Sequence, residues 1–458
     1  MKKTFRFLSM AALLVVGAIM TGCSSDDNID NPQQPVNKDN IVTLTATVSL
    51  DGGAATRAIN GTTGAKTFET GKEIAVIYKN TSNQTVKAVS FDFTPTGDNT
   101  KATFTVTLIN PASNSAVRYI YPASMAKNIA TDATITDDDA TIDYSGLLGS
   151  QDGTLTKLAD YDLAVKDATL SGTDQPATVT LTNPLAICKF TLTDGTNPIT
   201  SSVNSLTISD GTNTYAVTPS ALSTIYVAMK PATGKIAFTA ATGSKTYFKT
   251  ATGTTLAAST LYTNITVSMV ELAIGSVICS DGSVYASKDA ATSASKTPVA
   301  MIAYLGSDNG ESAPYNHGLA LAMSDAGSGN FLKWSTSKSD AGHTKQTDSN
   351  NFTSESGLQY NETHNSDTYP AFKAAIANNG TAAPTGCSAW FLASGYQWTK
   401  MLAGNAGGLK TLAGLESYGY WSSSERYASY AWYFYSDLNI WDGGSKDGSA
   451  HVRACLAF

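Results

Sequence analysis

Between Tyr418 and Phe458 the chain interleaves two kinds of residue, and one of them is suited to recognition. Arg426, Tyr427, Ser429, Tyr430, Tyr433, Tyr435, Asp437, Asp442, Gly443, Gly444, Ser445, Asp447, Gly448, Ser449 and His451 form a set dominated by Tyr, Ser, Gly and Asp. Tyrosine offers a large, rigid amphipathic contact at low entropic cost, while Ser and Gly supply adaptable hydrogen bonding, the mixture antibody paratopes use. These are the candidate ligand-binding residues. Read as solvated strand ends and loops they would need no ligand; the density of tyrosine favours a binding face. Among them Trp421, Trp432, Phe434, Leu438, Ile440, Val452, Ala454 and Leu456 fall at strand-like intervals and are expected in the core.

Other chemistry is thinly represented. The four histidines (His317, His343, His364 and His451) are scattered, with no HExxH and no pair at ligand spacing. CxxC, GxSxG and glycine-rich phosphate loops are also missing. Asp437, Asn439 and Asp442 suggest a calcium loop only superficially, because an EF-hand needs an oxygen ligand where Trp441 stands. No metal or cofactor is expected. Apart from Cys23, the cysteines are Cys188, Cys279, Cys387 and Cys455. In an oxidising envelope a structural disulfide is expected among them. Cys387 with Cys455 is one option, and the pairing is open.

Tyr420–Glu425 (YWSSSE), Ala431-Trp432, the single Lys446 amid small residues and Val452–Phe458 (VRACLAF) resemble C-type-lectin-like domains of the formylglycine-generating-enzyme type. Within that group they are most similar to the variable proteins of diversity-generating retroelements. The resemblance implies an α+β fold whose ligand-binding positions are encoded by AAY-type codons open to adenine-directed mutagenesis. Every candidate residue above is of a type reachable from such a codon; Glu425, Trp432, Trp441 and Lys446 are not. Trp390–Ser394 resembles the family's W-x-L-P-S, with Ala393 where Pro is usual. The sugar-site tripeptides EPN and QPD and the WND of calcium-dependent lectins are not found, Trp441-Asp442-Gly443 being a partial match. The formylglycine-generating relatives use a cysteine pair, so an enzyme is one rival reading.

Only 15% of residues are charged, against about 25% in ordinary globular chains. The net charge is −7 with no basic run, which argues against a nucleic-acid partner. At 458 residues, about three domains are expected. Lys2, Lys3 and Arg6 precede an apolar run from Phe7 to Met20. About 14 apolar residues are too few for a bilayer that needs roughly 20. Met20-Thr21-Gly22-Cys23 resembles a bacterial lipoprotein signal, which implies a lipidated Cys23 that holds the protein to the outer membrane. Ser24-Ser25-Asp26-Asp27 resembles the acidic export signal of surface lipoproteins, and residues 23–40 also have the polar composition of a disordered tether.

Ile41–Leu50 alternates apolar and polar residues and predicts a half-buried strand. Short strands are predicted at Glu73–Tyr78, Val86–Phe93, Ala102–Leu108 and Ala116–Tyr121. A second set covers Ala177–Leu192, Ser205–Ser209, Tyr215–Thr218, Thr224–Met229 and Lys235–Ala240. Asp194-Gly195 and Asp210-Gly211 are hairpin signals, because Gly accepts the positive φ of a primed turn. Thr56–Thr62, Phe68 with Gly71–Asn80, Tyr121-Pro122 and Pro184–Leu192 together resemble fimbrillin-like proteins. That resemblance implies two tandem transthyretin-like β-sandwiches, cleavage after a basic residue (here Arg57) and assembly by donor-strand exchange. Physically this is β-augmentation of an exposed sheet edge.

Further on, Pro298–Leu305 and His317–Ala326 predict strands, and Tyr369–Asn378 and Ser394–Gly404 predict amphipathic helices. The expected architecture is therefore mostly β: a signal peptide at 1–22, the tether, sandwiches at 41–172 and 173–270, and an α+β lectin-like domain at 271–458. The expected protein is a surface adhesin, suited to a fimbrial tip because the chain ends in the lectin-like domain rather than in a donor strand. Its partners would be a host or bacterial glycan or protein and the neighbouring fimbrial subunits. A shaft pilin or a monomeric surface lipoprotein is the other alternative: a pilin should polymerise without a ligand, and an enzyme should carry a titratable reactive thiol.

Overall fold

Period-two alternation shapes the first strand. Ile41–Leu50 buries Leu44, Ala46, Val48 and Leu50 and turns Thr43, Thr45, Thr47 and Ser49 outward. The computed structural model describes residues 40–50, 67–404 and 408–458; the expected signal segment, Cys23, the tether up to residue 39 and Arg57 lie outside them. Ile41–Leu50 pairs antiparallel with Lys101–Ile109 and parallel with Thr178–Leu181. Phe91–Thr96 completes this four-stranded sheet. The second sheet orders Thr85–Val89, Ala75–Lys79, Ala116–Tyr121 and Ala164–Thr169, and Phe104, Val106, Val76, Tyr78 and Tyr119 fill the space between the two. Thr178–Leu181 thus joins the first sandwich, beyond residue 172. The strand predicted at Ala177–Leu192 is divided, with Pro184 in the gap between Thr178–Leu181 and Ala186–Thr193, where its missing N–H could not serve a ladder.

The outer face of that second sheet is covered. Ala75, Ile77 and Ile120 pack in one core with Ile142, Leu147, Leu158 and Tyr161, which come from the short-helix segment that follows, and with the interior of the second sandwich. Gln151, buried, stitches the layers: its Nε2 donates to Leu147 O at 2.8 Å and Ala228 O at 2.9 Å, and its Oε1 accepts from Ala228 N at 2.9 Å.

In the second sandwich five strands run in the order Thr214–Val217, Ser205–Ser209, Ala232–Ala241, Thr246–Leu256 and Val270–Glu271. A separate three-stranded sheet is made by Ile225–Met229, Ala186–Thr193 and Thr260–Ser268. Gly195 and Gly211 adopt φ of 93° and 89° at the predicted turns.

The rest of the chain is α+β. A six-stranded sheet is ordered Val284–Tyr285, Val277–Cys279, Pro298–Leu305, Gly318–Ala322, Ala454–Ala457 and Phe391–Leu392. The helix Pro370–Ala377 lays Phe372 and Ala375 on the face that carries Ile302, Ala320 and Leu456. The helix Gly395–Gly404 puts Trp398 and Met401 on the other face, against Met301, Leu321 and Ala457. The second sandwich shares this core through Ala237 and Phe248, which cluster with Ile278 and Trp390. At that contact a Cβ on Gly386 (φ 91°) would fall 2.5 Å from the Ala237 Cβ. Among the described residues no helix is long and apolar enough to cross a membrane.

Candidate ligand-binding face

The candidate residues sit on and around a second sheet of the α+β part, built from Gly419–Tyr427, Tyr430–Tyr435 and Ile440–Ser445. Tyr433 stands opposite Trp421 and Asp442, and Tyr435 stands opposite Gly419 and Ile440. Cross-strand partners share a face and neighbours along a strand alternate. Tyr433, Tyr435, Asp442 and Gly444 therefore lie on one face. Trp432 and Phe434 point the other way into buried surroundings, where Phe352 packs at 5.7 Å from Trp432 and 4.8 Å from Trp441.

Below this surface Tyr420–Glu425 is buried throughout, and its side-chain polar groups are paired except the Ser423 hydroxyl. Trp421 Nε1 donates to Leu332 O and Trp334 Nε1 to Ser422 O, both at 2.8 Å. Ser424 Oγ donates to the Glu355 carboxylate and accepts from Gly395 N at 2.8 Å. Glu425 and Lys446 are both fully buried and bonded to each other; Lys345 reaches the same carboxylate, and Lys446 also donates to Ser339 O at 2.8 Å. Burial pulls the Lys446 pKa below its ordinary value, against the pull of Glu425. Two of the four residues that such codons cannot reach, Glu425 and Lys446, thus form the cross-link under the sheet.

The candidates fall into three groups. Tyr427, Tyr430, Asp437, Asp442, Gly448 and Ser449 are exposed, while Arg426, Ser429, Tyr433, Tyr435, Gly443, Gly444, Ser445 and Asp447 are half-buried. Arg426 stacks 4.4 Å from the Trp432 ring centre and covers Gly443, so these two lie across the sheet from Tyr433. His451 is a correction. It is only 5% exposed, because Gly419 O and Trp421 N bond to its backbone at 2.9 and 3.0 Å and turn its ring inward onto Tyr420. Its Nδ1 stands 2.9 Å from Asp325 Oδ2, out of line for a hydrogen bond. The core expectation also fails at Leu438 and Ile440, which are 61% and 48% exposed. The chain reverses there, with Asn439 at φ 53°, and the alternation runs out into a hairpin tip.

On the face that carries Tyr433 opens a cavity of about 260 Å³, lined by Phe331, Tyr418, Trp421, Tyr433 and Tyr435 above small residues. Phe331 was missed by the sequence reading. It precedes the strand Leu332–Lys333, whose ladder with Ser449–Ala450 brings it to this place, and a lone Phe far from the tyrosine-rich stretch gives no local signal. The Tyr433 hydroxyl lies 3.1 Å from Tyr435 Oη and donates to Asp442 Oδ2 at 3.4 Å. Burial first, then Tyr435 and Asp442, push its pKa up, so it stays a neutral phenol.

The expected disulfide is not formed: Cys188, Cys279, Cys387 and Cys455 are free. Cys387 and Cys455 belong to the cores on opposite faces of the six-stranded sheet. Cys279 and Cys455 share a face, but their strands are three spacings apart, about 14 Å, too far to bridge. Burial pushes the Cys188 and Cys387 thiols up to about 12, the reverse of what a nucleophile needs. Among the described residues no group of three or more His, Cys, Asp or Glu could hold a metal ion.

No protein-family model and no curated protein matches the chain. Among solved structures it is similar to the tip fimbrial protein Mfa3 from Porphyromonas gingivalis, at 11% identity, over 46% of this chain and 81% of that one, with a TM-score of 0.25. It is similar to a fimbrial assembly protein from Parabacteroides distasonis at 12% identity, over 48% of this chain and 90% of that one, with a TM-score of 0.28. At those scores the likenesses carry no functional argument.

Proposed function

We propose that the protein is a cell-surface adhesin of a fimbria, which binds a glycan or protein ligand through the sheet Gly419–Ser445. The observation that supports it is the division of labour in this sheet. Residues of adaptable type (Tyr427, Tyr430, Tyr433, Tyr435, Asp437 and Asp442) lie exposed or half-buried, while Glu425, Lys446 and Trp432 hold the support rigid beneath them. A preorganised support with a variable surface is what a binding face needs. In this reading Cys23 is the lipid anchor, the face is lectin-like and its codons are open to diversification. A ligand-binding face must reach its ligand, which suits the tip.

Joining to the fimbria would proceed by loss of Ile41–Leu50 after cleavage at Arg57 and entry of a neighbour's strand. In support, that strand is an inner one whose removal would bare the backbone edges of Lys101–Ile109 and Thr178–Leu181 and the apolar contacts of Leu44, Ala46, Val48 and Leu50. The protein is expected to act without a catalytic step.

The direct test is capture of the purified full chain on glycan and matrix-protein arrays, with Tyr433→Ala and Tyr435→Ala alongside. Loss of about 2 kcal/mol in binding from at least one variant, at unchanged melting temperature, is expected for a hot-spot tyrosine. Equal binding by both variants would remove the sheet from the reading. Sequencing codons 418–458 through a growing population, with the upstream codons as control, tests diversification separately.

A further inference from the structure

The cavity on the terminal sheet has a chemical character of its own. Its five rings meet nearly edge to face: Phe331 and Tyr418 at 5.3 Å and 80°, Trp421 and Tyr433 at 5.4 Å and 86°, Tyr433 and Tyr435 at 4.9 Å and 74°. Neighbouring rings at such angles turn faces in several directions around one space. Each face carries the negative end of a quadrupole. No lysine or arginine lines the space. Glycines keep the walls bare at two points: a Cβ on Gly444 would fall 2.7 Å from Trp421, and one on Gly419 would fall 2.6 Å from Tyr433.

A carboxylate stands beside the rings. Asp442 accepts from the Tyr433 hydroxyl, and its side chain is 55% exposed. The nearest cation, Arg426, is 3.9 Å from it and stacked on Trp432 across the sheet. Asp437 and Asp447 add further acidic groups around the sheet, the second paired with Lys338 at 3.0 Å.

We propose that this cavity is an aromatic cage for an organic ammonium group, presented as the free or methylated end of a lysine side chain on a protein partner. Rings that surround a cation stabilise it through their faces, best when the group is desolvated, and an adjacent carboxylate completes the match. A lysine is preferred as the source because the surround of Tyr427, Tyr430 and Asp437 has the make-up of a protein-binding surface. The inference rests on the reading of this sheet as the binding face and adds the class of ligand.

The test uses the full chain and three probes: Nα-acetyl-lysine amide, its Nε-trimethyl form, and the neutral tert-butyl carbon isostere of that form, followed by tryptophan fluorescence or calorimetry. The trimethylammonium probe is expected to bind about tenfold tighter than the isostere, the margin that a desolvated cation–π site supplies. Phe331→Ala, at a half-exposed ring, and Asp442→Asn should each weaken it severalfold without changing the melting temperature. Equal affinity for the isostere, or no binding of either ammonium probe, would overturn the cage. So would binding of choline-headgroup vesicles in preference to the lysine probes, which would move the source to a lipid. Should array ligands still be lost on Tyr433→Ala while the probes fail, the binding face stands and only its ligand class falls. Indifference of every ligand to Tyr433 would sink both.

Discussion

Glu425 and Lys446 place opposite charges in full burial, an arrangement that costs several kcal/mol of desolvation for each ion before any attraction is counted. What recovers the cost is saturation. Glu425 takes two lysines and the Ala341 N–H at 3.0 Å, and Lys446 adds Ser339 O and the Trp334 ring at 4.8 Å. Glu425→Gln would leave the buried Lys446 charge without its carboxylate, while Lys345 keeps Asp340 at 2.6 Å, so destabilisation of about 3–5 kcal/mol is expected in urea titrations. A change within the error of the titration would show that water reaches the pair. Trp421 behaves differently: its indole is buried and bonded to Leu332 O, and Trp421→Ala should cost about 3–5 kcal/mol through the cavity it leaves. Because Trp421 is also the floor of the aromatic cavity, binding measured on that variant would mix two effects. Phe331, exposed and outside the core, separates them.

At the scale of elements, strands whose burial follows period two were legible. Ile41–Leu50 forms over its predicted span, as do the helices at Pro370 and Gly395 to within a residue, since each shows one face to a core; Ala116–Tyr121 also forms as predicted, with both of its faces buried. The long edge-side strands Thr246–Leu256 and Thr260–Ser268 were not read, because most of their side chains are polar or exposed and carry little alternation. The candidate face was legible in its tyrosines and in the set-apart Glu425 and Lys446. Its division across two sides of the sheet and the inward turn of His451 were not, since both depend on cross-strand register and on a ladder formed with Leu332–Lys333. Strand exchange belongs to this scale too. A chain lacking residues 41–50 should melt well below the parent, and a synthetic Ile41–Leu50 peptide should restore it, whereas a peptide carrying Val48→Lys should not. Recovery with both peptides would mean that backbone pairing alone, without the inward apolar row, fills the groove.

Over the whole molecule, the described chain from Ile41 to Phe458 clusters as one compact unit, and the contact between the second sandwich and the α+β part explains why. Phe248 and Ala237 lie in the same core as Trp390, and His317 crosses the same joint to Thr207 Oγ1 at 3.3 Å and Ser205 Oγ at 3.5 Å. All six tryptophans fall between Trp334 and Trp441, so their fluorescence reports the α+β part alone while circular dichroism reports every strand. Heat unfolding followed by the two probes is expected to coincide, and separate transitions would show the joint to be weak. Acid should load this joint. Burial holds His317 down at about 4, against 6.5 for the free side chain. Above pH 6.5 both states are neutral there and the full contribution is present. Between 6.5 and 4 only the unfolded chain takes up the proton, so stability falls with pH by about 3 kcal/mol in total. His343, held at about 3 mainly by burial, has the same sign. Glu311 and Glu355, pushed up by burial, protonate first in the folded state and oppose both. His317→Gln removes one contribution alone, so its urea midpoint should decline less steeply than the parent's between pH 6.5 and 4. Parallel slopes would mean that the imidazole is hydrated in the folded protein, and the joint would then owe its hold to Phe248 and its apolar neighbours.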